Sequence, residues 1–319
     1  IIWLIAPLFV WYISKLEKEI NAIDKLSIKD KEYVLNIGKK TWEYFKQNIT
    51  EENNFLPPDN YQEDRTPQLA KHTSPTNIGL ALLAVISSYD LGFENLIDTL
   101  NLLKNMLNTI EILQKWNGHL YNWYNIKDLK PLIPRYISTV DSGNFIGYVY
   151  VLKQFYIEIK KQIKEISNKK EYEEIVYKNL LDNDEKENLI ENINLEEEKQ
   201  KLLDLLPEWT DKTLQEINIA RADFSKLYNE NKRIFSIGFN VEENKLTDSY
   251  YDLLASEARQ ASIIAIAKKD VPSKNQSYKD VEKIKPVEPK KIPEEKSSSQ
   301  KNKIVKNVNN KKKIERQYK

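Results

Sequence analysis

The stretch Ser74-Pro-Thr-Asn-Ile-Gly-Leu-Ala-Leu-Leu-Ala-Val-Ile-Ser-Ser-Tyr89 decides the class of fold. Ser74 directly before Pro75 is a typical helix N-cap followed by proline at the first helical position. The segment from Ile78 to Tyr89 is apolar on nearly every face, which is typical of a helix surrounded by other elements. Gly92 suits the C-terminal end of such a helix. The stretch therefore predicts a buried inner helix.

Helical patterns surround this segment. Ser27 is a candidate N-cap for a helix over Leu26 to Gln47, and a more amphipathic pattern covers Ile97 to Trp116. Three more helices are predicted over residues 143–158, 210–231 and 250–269, and one strand-like alternation over residues 235–241. Strands do not alternate with helices, so no large sheet is predicted. Paired helices joined by long polar loops predict an all-α toroid or barrel, in which the loops at one end form a pocket.

The composition excludes several classes of site. The chain has no cysteine, so neither disulfides nor thiolate chemistry are available. Its two histidines, His72 and His119, cannot build a His-rich metal site and are interpreted as hydrogen-bonding loop residues. No phosphate-cradling glycine loop, metal-ligand pair or nucleophile elbow occurs in the sequence. No cofactor is predicted.

The chain begins with an apolar run from Ile1 to Ser14. A helix that spans a membrane needs about 20 apolar residues, so this run is short for a complete span. We interpret residues 1–15 as the C-terminal part of a membrane-spanning helix, with Trp11 and Tyr12 at the interface and Lys15 just outside the bilayer. The alternative is a buried N-terminal helix of the globular domain.

Two later segments are highly charged. Residues 160–205 consist largely of Lys, Glu, Asn and Ile, which predicts an exposed, charged helical insertion. Residues 273–319 carry 15 Lys and Arg against six Asp and Glu, and their low apolar content predicts a disordered Lys-rich tail. A basic tail can contact anionic lipid or nucleic acid, but the six interspersed acids argue against both, and no nucleic-acid partner is expected. The predicted globular domain is thus residues 16–272.

Two loops combine aromatic, amide and carboxylate side chains. One runs from Asn117 to Asn144, and the other runs from Asn53 to Arg65, where Pro57 stops any helix. The C–H faces of sugars stack on aromatic rings, while their hydroxyls bond to amides and carboxylates. The loop from Asn117 to Asn144 therefore predicts a site for a polyhydroxylated ligand, and the alternative is an ordinary connection rich in turn-forming residues. The loop from Asn53 to Arg65 is long enough to be functional or disordered, and Phe55 and Tyr61 favour an ordered loop.

Carboxylates among these aromatic residues are candidates for catalysis. Glycoside chemistry uses two carboxyls about 5–10 Å apart, one acting as acid and the other as base or nucleophile. The candidates are Asp59, Glu63, Asp64, Asp141, Asp248, Asp252 and Glu257. Glu257 lies close to Arg259 along a predicted helix, and we interpret it as a structural ion-pair partner rather than an acid catalyst.

Five motifs resemble, in the same order, those of the central glucoamylase-like (transglycosylase) region of the cyclic β-1,2-glucan synthases. They are Leu56-Pro-Pro-Asp-Asn-Tyr-Gln-Glu-Asp64, His72-Thr-Ser-Pro-Thr-Asn-Ile-Gly79, Gly118-His-Leu-Tyr-Asn-Trp-Tyr124, Pro134-Arg-Tyr-Ile-Ser-Thr-Val-Asp-Ser-Gly-Asn144 and Asp248-Ser-Tyr-Tyr-Asp-Leu-Leu-Ala-Ser-Glu-Ala-Arg259. The resemblance covers residues 1 to about 272, with a divergent insertion around residues 160–210. It implies the N-terminal part of an (α/α)6 barrel, here incomplete, that contacts β-1,2-glucan or glucose oligomers.

The resemblance also implies an activity and a location for the complete enzymes. They polymerise glucose from UDP-glucose at the bacterial inner membrane, and the glucoamylase-like domain, on the cytoplasmic side, closes the linear β-1,2-glucan into a ring by transglycosylation. The later motifs of the family that contain Phe-Glu-Tyr and Ser-Glu-Ser, where the acid/base carboxylates are expected, do not occur in this chain. The chain is therefore expected to lack the catalytic pair, and the resemblance leaves open whether it is an enzyme.

The same resemblance assigns residues that contact glucose. They are Trp123, Tyr124, Asp141 and Asn144 in the subsites, Asp59, Gln62 and Asn77 in support, and Tyr251 and Asp252 at the pocket wall. Three hypotheses follow. The chain is a fragment of a cyclic β-1,2-glucan synthase, a catalytically inactive glucan-binding module, or a non-functional remnant.

Overall fold

The computed structural model describes residues 26–178, 180, 193–212, 216–251 and 258–272. The chain divides into two compact units, Ile1–Gln276 and Ser277–Lys319, and the fold described here is that of the first unit. The predicted membrane span, the Lys-rich tail and residues 252–257 of the last predicted helix lie outside the described residues. Within the described ranges, no helix is both long enough and apolar enough to cross a bilayer.

Seven α-helices lie within the described residues. In chain order they are α1 (Ile28–Asn48), α2 (Pro75–Asp90), α3 (Leu96–Ile112), α4 (Thr139–Glu165), α5 (Lys169–Val176), α6 (Leu195–Leu205) and α7 (Arg259–Ala267). The predicted predominance of helix is confirmed, whereas the (α/α)6 toroid stays a prediction.

Short strands hold the loops at the ends of these helices. They are β1 (His72–Thr73), β2 (Lys115–Trp116), β3 (His119–Leu120), β4 (Tyr124–Asn125), β5 (Tyr136–Ser138), β6 (Tyr228–Asn229), β7 (Ile234–Phe235), β8 (Gly238–Asn240) and β9 (Lys245–Leu246). All pairs are antiparallel: β1 with β4, β2 with β3, β6 with β7, and β5-β8-β9 in one three-stranded sheet. The strand-like alternation predicted over residues 235–241 is confirmed for β8, which lies inside it.

The predicted helix starts are confirmed where a hydroxyl caps the first turn. Ser27 accepts a hydrogen bond from the Asp30 N–H at the start of α1, and Ser74 accepts one from the Asn77 N–H at the start of α2. These hydroxyls satisfy backbone donors that have no partner inside the helix. At α4, Ser138 takes the same role, so this helix begins four residues earlier than the predicted Gly143.

Helices α2 and α4 form a closely packed parallel pair. Asn144 Nδ2 donates to Thr76 Oγ1 at 3.3 Å, and four residues along α4 the ring of Tyr148 lies against Gly79 so closely that a Cβ there would overlap it. The contacts advance along both helices in the same direction, so the two N-termini lie at the same end of the molecule. Helices α1 and α3 pack on α2, and α7 packs on α4.

The core contains the inner faces of these helices. Fully buried side chains include Ile78, Leu82 and Val85 of α2, and Val149 and Leu152 of α4. The burial of α2 confirms the prediction of an inner helix. Each such aliphatic side chain contributes about 1.5–3 kcal/mol to the free energy of folding through removal from water.

The charged region predicted as an exposed insertion over residues 160–205 is helical where it is described, but it is less exposed than predicted. Ile163, Tyr172, Val176 and Leu202 are buried, because α5 and α6 pack on α3 and α4. The sparse apolar stripe of this region is therefore part of the core, and only its polar faces are solvated.

The helix predicted over residues 210–231 is wrong. The structure shows short 3₁₀ helices at Asn218–Ala220 and Phe224–Leu227, followed by β6. Side chains and turns from elsewhere take the backbone groups that a helix would use: Lys268 Nζ donates to the Ala222 carbonyl, and the Phe224 N–H donates to Asp270 Oδ2 at 3.2 Å. Tertiary hydrogen bonds thus replace the i to i−4 ladder.

Helix α3 ends earlier than predicted, at Ile112, and residues 115–116 form β2 instead of a last helical turn. The Lys115 ammonium donates to the carbonyl oxygens of Ile110, Glu111 and Leu113 at 2.7, 3.0 and 3.1 Å. A cation on the last carbonyl groups satisfies the C-terminal end of a helix. Burial lowers the pKa of Lys115.

A single alanine substitution should have opposite effects in two helices. A Cβ at Gly143 of α4 would lie 2.5 Å from Ala261 Cβ, so Gly143→Ala should cost about 1–3 kcal/mol of stability through overpacking. At Gly38 of α1 the nearest atoms would be 3.7 Å away, so Gly38→Ala should gain up to about 1 kcal/mol from helix propensity. Urea denaturation of both variants measures the difference, and equal shifts would contradict the close α4–α7 contact.

Candidate functional site

The loops before α2 and α4 meet because the two helices are parallel. β1, which precedes α2, pairs with β4, so that His72 lies opposite Asn125 and Thr73 opposite Tyr124. The Asn122 N–H donates to the Tyr136 carbonyl oxygen at 2.7 Å, which joins the same loop to the strand that leads into α4. The segments over residues 54–73 and 117–138 therefore form one surface at the N-terminal ends of both helices.

Asp59 is the first polar centre on this surface. Its Oδ1 accepts from Asn77 Nδ2, and its Oδ2 accepts from Asn60 Nδ2, both at 2.6 Å. The Asp59 N–H donates to the His72 carbonyl at 2.7 Å, and His72 Nε2 lies 3.8 Å from Asp59 Oδ2. The predicted pair Asp59 and Asn77 is thus in direct contact, with the carboxylate held by two amides.

The Tyr44 hydroxyl on α1 adds a polar atom near Asp59. It is buried and has no hydrogen-bond partner within the described residues. Burial and the Asp59 charge raise its pKa. A buried hydroxyl without a protein partner is a place where water or a ligand hydroxyl can bond.

Trp123 is the second centre. Its half-buried ring contacts the edge of the His72 ring, with the centroids 4.9 Å apart. When the Asn122 amide is oriented so that each end meets a complementary group, its Oδ1 accepts from Trp123 Nε1 at 2.9 Å and its Nδ2 donates to Asp141 Oδ2 at 3.2 Å. Asn122 therefore connects the indole to the carboxylate.

These contacts link the two centres into one group, which we call the Trp123 cluster. Its members are Asp59, His72, Asn77, Asn122, Trp123 and Asp141. Asn144 lies beside it, with its amide on Thr76 in the first turn of α2. Four of the residues predicted from the resemblance are therefore in the cluster, and Asn144 adjoins it. His72 and Asn122, which complete the group, had no assigned role in it.

Gln62 and Tyr251, two more of the predicted residues, make backbone contacts elsewhere. The Gln62 N–H closes its own loop on the Gln68 carbonyl at 2.8 Å, and the Tyr251 N–H bonds to the Phe235 carbonyl at 3.2 Å. Asp252 and Glu257 lie outside the described residues, so Asp252 at the pocket wall stays a prediction.

The assignment of Tyr124 to a glucose subsite is wrong, since its ring is fully buried. Its hydroxyl donates to the Gln114 carbonyl at 2.6 Å and accepts from the Tyr121 N–H at 2.8 Å. Burial raises the pKa of Tyr124 far above its usual value. Both sides of the hydroxyl are occupied, so Tyr124 supports the loop from below and is not available to a ligand.

His119 anchors the other end of the loop, and its interpretation as a hydrogen-bonding residue is confirmed. The buried ring has Nε2 at 2.9 Å from the Asp223 carbonyl and Nδ1 at 2.9 Å from Ser142 Oγ. Burial lowers the pKa of His119 to about 4, so the ring is neutral near pH 7. Because a carbonyl only accepts, Nε2 carries the proton and Nδ1 accepts from the Ser142 hydroxyl.

Metal chemistry has no structural support in the described ranges, where no group of three or more His, Asp or Glu side chains could hold a metal ion. The two carboxylates of the cluster instead accept from neutral amides. This arrangement suits a neutral ligand that carries many hydroxyl groups, because charged groups are engaged and aromatic and amide surfaces remain.

No protein-family model matches the chain. It is similar to the cyclic β-(1,2)-glucan synthase NdvB of Rhizobium meliloti (strain 1021), with 30% identity over an alignment 357 positions long. The alignment covers 86% of this chain and 12% of that protein, so the chain spans a small part of its relative.

Two solved structures are similar to part of this chain. A protein assigned as a glucoamylase from Bacteroides fragilis has a TM-score of 0.49 and 14% identity, over 76% of this chain and 48% of that chain. An endo-β-1,2-glucanase from Chitinophaga pinensis, solved with sophorotriose and glucose, has a TM-score of 0.48 and 14% identity, over 74% of this chain and 47% of that chain. Both likenesses are partial.

The neutral state of His119 should make stability depend on pH. Its folded pKa of about 4 lies below the unfolded value of about 6.5, so its contribution is complete above about pH 6.5 and is lost as the pH falls toward 4. Between about pH 7.5 and pH 5, the free energy of unfolding should fall by about 2 kcal/mol more in the wild type than in His119→Gln.

His72→Gln is the matched control, because it removes the only other histidine from a partly exposed position. Urea denaturation at both pH values should show the wild-type dependence in this variant. If His119→Gln does not fold, imidazole resonances of the wild type replace it. A His119 ring that becomes protonated near pH 6.5 would contradict the assignment.

Proposed function

The chain is related to the cyclic β-1,2-glucan synthases, and on this premise we propose that the surface around the Trp123 cluster binds chains of β-1,2-linked glucose. The observation that carries the proposal is the 30% identity to a cyclic β-(1,2)-glucan synthase over 86% of this chain. Because the alignment covers 12% of that relative, the proposal concerns glucan binding and not the complete activity of the relative. Attachment to a membrane through residues 1–15 and a location at a bacterial inner membrane stay predictions.

The composition of the cluster supports a sugar ligand. Trp123 presents a partly exposed indole, and an aromatic face stacks well on the C–H face of a pyranose ring. Asp59, Asn77 and Asp141, which are linked to the indole through His72 and Asn122, add carboxylate and amide groups that accept from and donate to hydroxyls. A carboxylate oxygen can accept more than one hydrogen bond, so Asp59 and Asp141 keep acceptor capacity for a ligand.

Binding is proposed rather than glycosyl transfer. Transfer needs one carboxyl that donates a proton and a second that acts as base or nucleophile. The contacts that the structure shows for Asp59 and Asp141 are acceptor contacts with amide N–H groups, whereas the acid of such a pair has to donate a proton.

Titration calorimetry of the full chain with linear β-1,2-gluco-oligosaccharides tests the proposal. The wild type should release heat on binding, and Trp123→Ala should weaken the affinity about 10-fold or more, since truncation of a central aromatic residue removes the stacking surface. Cello-oligosaccharides of equal length should bind more weakly, because a β-1,4 linkage changes the spacing between successive rings.

Tyr33→Ala is the matched control for Trp123→Ala. Tyr33 is an exposed aromatic residue on α1, within a stretch where every described residue from 26 to 37 is exposed. Its removal should leave the affinity unchanged. Absence of binding by the wild type, or an equal loss in both variants, would refute the proposed site. Rings or shortened chains formed from linear β-1,2-glucan would contradict the proposed absence of catalysis.

A further inference from the structure

Asn122 has an unusually constrained position in the cluster. Its N–H donates to the Tyr136 carbonyl at 2.7 Å, and the carbonyl of the next residue, Trp123, accepts from the Leu132 N–H at 2.9 Å. The preceding residue, Tyr121, is buried. Because the main chain is bonded on both sides, the direction of the Asn122 side chain is set by the backbone.

The Asn122 amide lies between two groups with opposite requirements. An indole N–H can only donate a hydrogen bond and a carboxylate can only accept. When the amide is oriented to suit both neighbours, Asn122 Oδ1 accepts from Trp123 Nε1 at 2.9 Å and Nδ2 donates to Asp141 Oδ2 at 3.2 Å. The reverse orientation would place Oδ1 against the Asp141 carboxylate, which are both acceptors, and Nδ2 against the indole N–H, which are both donors. Only one orientation of the amide therefore satisfies both neighbours.

The bridge adds a link between the side chains of the loop before β4 and helix α4, which the His119–Ser142 contact also joins. Trp123 belongs to the loop before β4, and Asp141 belongs to the first turn of α4, where the Ser138 hydroxyl caps its backbone N–H. The α4 side of the bridge is rigid because it belongs to a 27-residue helix. The Asn122 amide therefore fixes the orientation of the indole relative to helix α4.

We propose that Asn122 is a positioning residue of the glucan site, which fixes the tilt of the Trp123 indole and the direction of the Asp141 carboxylate as one unit. This inference rests on the proposed function, because it assigns a role within the same site. Asn122 acts through its two neighbours and does not need to touch the sugar. Its amide chemistry, and not its volume, is what the role requires.

Two variants separate amide chemistry from volume. Asn122→Leu has a similar size but neither donor nor acceptor, and it should weaken binding of β-1,2-gluco-oligosaccharides about 10-fold at every pH, through loss of an ordered stacking surface. Asn122→Asp keeps the shape but places a second carboxylate against Asp141. Asn101→Asp on the exposed face of α3 adds the same charge elsewhere and should bind as the wild type does.

The Asp variant should respond to pH in a way that a merely structural residue would not. Two adjacent carboxylates cannot both ionise freely, so the pair takes up one shared proton at a raised pH. At about pH 7.5 the affinity of Asn122→Asp for the oligosaccharide should be low. At about pH 5 the shared proton should restore the missing donor, and the affinity relative to that of the wild type at the same pH should rise at least about threefold.

The indole resonance of Trp123 gives a readout that does not depend on glucan. It is identified among the six tryptophans by its absence from the spectrum of Trp123→Phe. The inference predicts that it shifts and broadens in Asn122→Leu, and that in Asn122→Asp it shifts with pH together with the affinity. An unchanged indole resonance in both variants, or wild-type affinity at both pH values, would overturn the positioning role.

The two levels of proposal fail in different ways. If the wild type binds no β-1,2-gluco-oligosaccharide, the proposed function is refuted, and the indole resonance alone decides whether Asn122 holds Trp123 and Asp141 together. If the wild type binds and the Asn122→Leu affinity falls while the indole resonance stays unchanged, Asn122 contacts the sugar directly and the positioning role is refuted. If both change together, the role is supported.

Discussion

The close parallel contact between α2 and α4 is the constraint on which the site depends. Gly79 lets the Tyr148 ring lie directly on α2, and the Asn144–Thr76 hydrogen bond joins the second turn of α4 to the first turn of α2. A parallel pair carries both positive helix ends to the same side of the molecule. The polar residues that belong to these first turns, Asn77 and Asp141, consequently reach one surface, although 64 positions of sequence numbering lie between them.

The neutral His119 ring stabilises the loop that covers this surface. It takes one hydrogen bond from Ser142 on α4 and gives one to the Asp223 carbonyl, so a single side chain ties the loop to a helix and to the irregular segment beyond it. The Asp223 N–H returns a bond to the Asn117 carbonyl at 3.0 Å, and Gly118, at φ +80, packs so closely on Arg221 that a Cβ would not fit. Residues 217–227 therefore follow an irregular path that packs on, and bonds to, the turn at residues 117–119.

The sequence predicted what local patterns control and missed what tertiary contacts control. The caps at Ser27 and Ser74 and the apolar α2 depend on neighbours within four residues, and they were predictable. The helix expected over residues 210–231 failed because Lys268 and Asp270, far along the chain, take its backbone groups. The roles of His72 and Asn122 were missed for the same reason, since each depends on a partner that no sequence spacing identifies. Asp59 and Asp141 were among seven candidate carboxylates of the sequence, and the resemblance of whole motifs selected them together with Asn77 and Trp123.

The error at Tyr124 and the position of Trp123 have a common cause. Tyr124 begins β4, whose pairing with β1 fixes its side chain on the core side. Successive side chains of an extended chain point to opposite sides, so the burial of Tyr124 directs the preceding Trp123 outward, toward His72 and Asp141. The buried hydroxyl of Tyr124, held between Gln114 and Tyr121, therefore fixes the register that exposes the indole. A shift of the β1–β4 pairing by one residue would bury Trp123 and expose Tyr124. The buried Tyr124 is therefore needed next to Trp123, because it keeps the indole on the exposed side.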